Sequence, residues 1–162
     1  LGSDGHALAG VIQEALSFHA FTRVAQTWRE VKGGEPLSEN YSVLSPEVLG
    51  RADGDPFLSK NTRFIESIMR DDVIIPLGQA ASHCVKSSID DLLKEFLAVD
   101  PKLLKKVYII RDCMSAVVVP GVVDYTADAE AALDRFANAG MHVVDSTTPM
   151  TDWPDIPASV FA

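Results

Sequence analysis

The thiols and imidazoles that could serve as nucleophile, base or metal ligand are few: Cys84 and Cys113, and His6, His19, His83 and His142. Neither cysteine belongs to a CxxC pair, and no Cys/His spacing matches structural zinc. Cys84 stands apart because of what surrounds it. The run Val73-Ile74-Ile75-Pro76-Leu77 reads as a short buried strand, and Gly78-Gln79-Ala80-Ala81-Ser82 as a turn of small residues. At Cys84 a helical spacing begins, with Ile89, Leu92, Leu93 and Phe96 on one face. A thiol on the first turn of such a helix lies where open parallel sheets receive ligands. The positive helix end favours negative charge on its sulfur. Small residues at 78 and 80–82 let backbone N–H groups approach a substrate and hold an oxyanion, so the indicated chemistry is attack on an acyl carbon. An inert cysteine, chosen for its size at a helix start, fits the same position equally well.

The elements that must position this turn can be read from periodicity. Leu8, Val11, Ile12, Ala15, Leu16 and His19 recur at helical spacing over 7–22, and Ser3 or Asp4 is placed to cap that helix. His19 falls on the apolar stripe, which favours a hydrogen-bonded core histidine over a catalytic one. An extended stretch over 25–31 follows, then a long loop over 33–60, and long loops are often functional. A helix is expected over 61–69 and another from Cys84 to Leu97. Strands are expected over 73–77, 107–110 and 141–144. Thr126 is expected to cap a helix that presents Ala129, Ala132, Leu133 and Phe136 inward and stops at Gly140. Residues 146–162, with Pro149, Pro154 and Pro157, read as an irregular tail. Strands alternating with helices give an α/β fold with a parallel sheet flanked by helices. The pattern opens on a helix with no strand ahead of it, so we expect a single domain over 1–162 that is N-terminally incomplete.

Composition narrows the function classes. The 162 residues suit about one domain, and a net charge of −9 opposes the basic surface that nucleic-acid binding requires. No apolar run reaches the roughly 18 residues that span a bilayer, and the first residues lack the basic and apolar regions of a signal peptide. With two cysteines and no disulfide framework, a reduced cytoplasmic setting is the simplest expectation.

The stretch Gly78-Gln79-Ala80-Ala81-Ser82-His83-Cys84-Val85 resembles the nucleophile turn of the isochorismatase-like cysteine hydrolases. Its His83-Cys84-Val85 form is common in the nicotinamidase-related branch. Val31-Lys32-Gly33 with Tyr41-Ser42 resembles the region supplying that family's catalytic lysine and an active-site aromatic residue. Asp112 resembles the aspartate that follows the next strand, and 127–144 the closing helix, glycine and strand. The resemblance implies a three-layer, Rossmann-like α/β sandwich with a mostly parallel sheet, here lacking its N-terminal strand or strands. It implies Cys84 as nucleophile, Lys32 as the triad lysine, and the N–H groups of Ala80 and Cys84 as the oxyanion hole. It further implies a cis peptide at Gln79–Ala80 and Tyr41 lining the substrate pocket. The implied reaction is hydrolysis of a small-molecule amide, nicotinamide to nicotinate and ammonia, through a thioester in a homo-oligomer.

The departures are equally specific. The family's triad aspartate, in a pattern like Asp-x-Gln-x-x-Phe, has no match before Lys32. Only His6 and His19 precede Lys32, and neither forms the Asp-x-His pair of the nicotinamidase metal site. The expectation is therefore that any divalent metal such as zinc is bound upstream of Leu1, with no metal ligand assignable here. These residues alone are then expected to lack hydrolase activity. Alternatives are a noncatalytic binding or scaffold member of the fold, a hydrolase of another small amide or an isochorismate-type substrate, and a redox-sensing thiol.

Overall fold

The computed structural model describes residues 8–34, 36–50, 54 and 58–161. The chain divides into two compact units, Leu1–Val31 and Lys32–Ala162. Among the described residues no helix is long and apolar enough to cross a membrane.

The first unit holds one helix, α1 (Gly10–Arg23), which ends where Val24 turns into the left-handed region. No residue of α1 is buried, and Phe18 and Phe21 are exposed. His19, expected in a core, is exposed as well. The helix starts after Ala9 without a side-chain cap. Ser3 and Asp4, the expected caps, lie outside the described residues, as does His6. Residues 25–31 form no strand.

In the second unit the long loop runs to α2 (Thr62–Arg70), which Asn61 caps by accepting from the Phe64 N–H at 3.3 Å. The loop is pinned from within. Leu44 and Ser42 are buried, and the Leu44 carbonyl accepts from Asn61 N–H at 2.8 Å. After a bridge at Ile74 the chain enters α3 (Cys84–Val99) and a 3-10 turn over Pro101–Lys106. Then come β1 (Tyr108–Ile110), β2 (Val118–Val119), β3 (Val123–Asp124), α4 (Thr126–Ala139) and β4 (His142–Val144).

β1 and β4 pair in parallel, with Tyr108 opposite His142 and Ile110 opposite Val144. The strand expected over 73–77 contracts to one parallel bridge between Ile74 and Val107. Pro76 has no N–H to continue that ladder. β2 and β3 form an antiparallel hairpin that periodicity did not reveal, since two-residue strands carry almost no period.

Alternation along the sheet sets its two faces. Val107 and Ile109 join Val85, Ile89, Leu92 and Phe96 of α3 and Ala132, Leu133 and Phe136 of α4 in the main core. Tyr108 and Val144 pack instead with Trp153, and Ile110, Met150 and Ile156 close over them. The expected tail thus contributes a covering segment over 150–156, with 3-10 turns at Met150–Asp152 and Ala158–Phe161. The whole is a mixed α/β unit with a small parallel sheet.

α4 corrects one further expectation. Its N-cap is Tyr125, without a side-chain cap, and Thr126 is the first helical residue. Asp124 supplies the acceptor, taking the Thr126 N–H at 2.8 Å. Gly140 ends the helix at φ 108°, a conformation that suits glycine.

Candidate active site around Cys84

The turn before α3 is built so that Cys84 heads the helix with its neighbours tied down. Gly78 takes φ 132°, where a side chain is disfavoured, and the Gln79–Ala80 peptide is cis, at the bond the family resemblance singles out. The Ala80 carbonyl accepts from His83 N–H at 3.0 Å and Val85 N–H at 3.1 Å. Ala81 N–H donates to the Ser115 carbonyl at 2.9 Å, and Val117 N–H to the Ser82 hydroxyl at 3.0 Å, so the strand-following segment 115–117 holds the turn. Among the described residues, the amide N–H groups of Ala80 and Cys84 donate to no protein acceptor. Backbone donors left without a protein acceptor are available to a ligand.

Lys32 reaches this turn across a sequence separation of 52 residues. Its Nζ lies 3.3 Å from Cys84 Sγ and donates to the carbonyls of Asn40 at 3.0 Å and Tyr41 at 3.1 Å. An ammonium has three N–H donors, and these partners occupy all three. The loop that supplies the carbonyls is anchored to α3: Val43 N–H donates to Ser88 Oγ at 3.2 Å, and that hydroxyl donates to the Cys84 carbonyl at 2.8 Å. Tyr41 N–H is taken by the Glu47 carboxylate. Cys84 itself is half-buried.

Tyr41 and the imidazole of His83 stand with ring centroids 5.8 Å apart, and the Tyr125 ring meets His83 edge-on at 4.8 Å. Ser82 Oγ lies 2.8 Å from His83 Nδ1. Cys84, Lys32, Ala80 and Tyr41, the four residues singled out from sequence, therefore share one site in the second unit. Sequence reasoning passed over Ser82 and Tyr125 as site residues, and used His83 only as part of a motif. His83 could have been found from its place beside Cys84. Tyr125 carried no signal, because only the hairpin brings it to the turn.

Asp112 follows β1 but belongs to a different task. Its carboxylate accepts from Ser146 N–H at 2.8 Å and Ser146 Oγ at 2.6 Å, joining the ends of β1 and β4. These two bonds, the hydroxyl's first, hold its pKa below the ordinary carboxylate value. No carboxylate among the described residues hydrogen-bonds Lys32 Nζ or Cys84 Sγ. Nor do any three His, Cys, Asp or Glu side chains among them gather so as to hold a metal ion. The described residues do not fit a metal.

Comparisons with protein-family models, with curated proteins and with solved structures found no match to this chain.

Proposed function

We propose that the chain belongs to an isochorismatase-like cysteine hydrolase of the nicotinamidase-related branch, acting on the amide of a small molecule such as nicotinamide. The observation that carries this reading is the 3.3 Å approach of Lys32 Nζ to Cys84 Sγ, beside two backbone amides without protein acceptors. In the proposed reaction a base removes the thiol proton and Sγ attacks the amide carbonyl carbon. The ammonium of Lys32 steadies negative charge on sulfur, and the N–H groups of Ala80 and Cys84 receive the oxyanion. The C–N bond then breaks, ammonia leaves with the transferred proton, and water hydrolyses the thioester to the acid and free thiol. The base is an aspartate supplied from outside the described residues. Any metal, zinc in this reading, is supplied likewise. The same reading gives a three-layer sandwich domain that assembles as a homo-oligomer in the cytoplasm, with no nucleic-acid or membrane partner.

In the protein carrying that aspartate, Cys84→Ala should abolish ammonia release from nicotinamide, with retained release ruling the nucleophile out. One observation favours a second reading. Because no described carboxylate hydrogen-bonds Lys32 Nζ or Cys84 Sγ, a noncatalytic binding member of the fold would show the same arrangement. It predicts that nicotinamide binds the unmutated protein without any ammonia appearing.

A further inference from the structure

Ser82 is buried, and its hydroxyl has two partners among the described residues. It accepts from Val117 N–H at 3.0 Å and lies 2.8 Å from His83 Nδ1. A hydroxyl has one proton and two lone pairs. If His83 carried its proton on Nδ1, Ser82 would accept twice, and its own buried proton would have no acceptor. If Nδ1 is bare, the Ser82 proton goes to it and every polar atom of the pair is satisfied. The imidazole proton then sits on Nε2. That nitrogen has no protein partner among the described residues and is not shut off from solvent. The Tyr125 and Tyr41 rings flank the imidazole at 4.8 and 5.8 Å.

We infer that Ser82 is a positioning residue. It fixes His83 as the Nε2–H tautomer, so that the imidazole offers a hydrogen-bond donor to an acceptor oxygen or nitrogen of the ligand beside Cys84. The inference rests on the reading of this site as a small-amide pocket. It adds a selectivity rule to it: ligands lacking an acceptor for His83 lose affinity, whatever their amide does. The chain from Val117 through Ser82 to His83 also links that donor to the segment leading into the β2–β3 hairpin.

Nitrogen NMR of the histidine-labelled chain above the ordinary imidazole pKa of about 6.5 reads the tautomer directly. The expected pattern for His83 is a bare Nδ1 and a protonated Nε2. Ser82→Ala should convert it to a mixture, and Ser82→Thr, which keeps the hydroxyl, should restore it. Nicotinamide titrated into Cys84→Ala protein should shift the His83 Nε2 signal. The dissociation constant should be about tenfold weaker when Ser82→Ala is added, the size one hydrogen bond carries. A protonated Nδ1 in the unmutated chain, or an unchanged pattern in Ser82→Ala, overturns the tautomer assignment. Nicotinamide binding that leaves the His83 signal in place, or no nicotinamide binding, overturns the ligand contact. Because Cys84→Ala cannot turn over, failure of the hydrolase reading appears separately, as absent ammonia from the unmutated protein that carries the aspartate.

Discussion

Lys32 and Cys84 pose the question of what one ammionium does for one sulfur. Lys32 Nζ directs its donors to two carbonyls and Sγ, so its charge is held beside the sulfur although the residue is exposed. A positive group held there stabilises the sulfur as it gains charge, and charge-assisted hydrogen bonds are about twice as strong as neutral ones. Lys32→Met should therefore slow alkylation of Cys84 by iodoacetamide about tenfold, while exposed Cys113 serves as the internal control. Equal slowing at both thiols, or none at Cys84, would remove the lysine from the chemistry. Asp112 provides a second residue-scale prediction. Its folded pKa is depressed, so its contribution to stability is present above the ordinary carboxylate value of about 3.9 and is lost as pH falls through the folded value. Ser146→Ala should move the Asp112 carboxyl titration up towards that ordinary value, as carbon NMR would record. Cys84 was legible from its turn, because strand, small residues and helix are adjacent in sequence. The contact with Lys32 was not, since local periodicity is silent across 52 residues and only the family resemblance pointed there.

Helices α3 and α4 were the easiest elements to read, because each presents an apolar face with full helical period to one side of the sheet. Phe96 is 0% exposed and Phe136 1%, and both sit in the core beneath β1. Truncating either to alanine should cost about 3–5 kcal/mol, measured by urea unfolding, through lost burial and the cavity left behind. Val122, 79% exposed on the hairpin, should tolerate serine within about 0.5 kcal/mol. The start of α4 was harder to read, since Thr126 looks like a capping threonine but stands one residue after the N-cap, Tyr125. The real acceptor is Asp124, whose pKa is lowered by the Thr126 hydroxyl and then by the Thr126 backbone N–H. Its support for the helix start is present above the ordinary carboxylate value and fades as pH falls through the lowered folded value. The melting difference between wild type and Asp124→Ala should therefore shrink on acidification. Short strands were the least legible elements: the run over 73–77 is apolar enough for a strand, yet only Ile74 bridges.

At the scale of the second unit, the sheet has two apolar faces and the sequence covers them differently. α3 and α4 cover one, as their periodicity foretold, while the other is covered by Met150, Trp153 and Ile156 of a segment too short to show a helical period. Prolines and polar residues made that segment look like a loose tail, and its apolar residues Met150, Trp153 and Ile156, though three apart, are too few to mark a helix. In the fold Trp153 is buried, stacks on Tyr108 with centroids 5.4 Å apart, and donates from Nε1 to the Thr148 carbonyl at 3.0 Å. Tyr108 donates its hydroxyl to the Pro154 carbonyl at 2.9 Å, and His142 stacks on its ring at 4.7 Å. Burial raises the Tyr108 pKa, and the Asp155 carboxylate raises it further. A raised folded value means that this phenol's contribution to stability is full below the unfolded value of about 10 and is lost as pH rises through the folded value. Trp153→Ala should therefore cost about 3–5 kcal/mol in urea unfolding. It should also let Tyr108 ionise at lower pH than in the unmutated chain, as ultraviolet absorbance would follow. If Trp153→Ala left both the unfolding and the tyrosine titration unchanged, the second face would not depend on this segment, and the C-terminal residues would be the tail that their composition suggests.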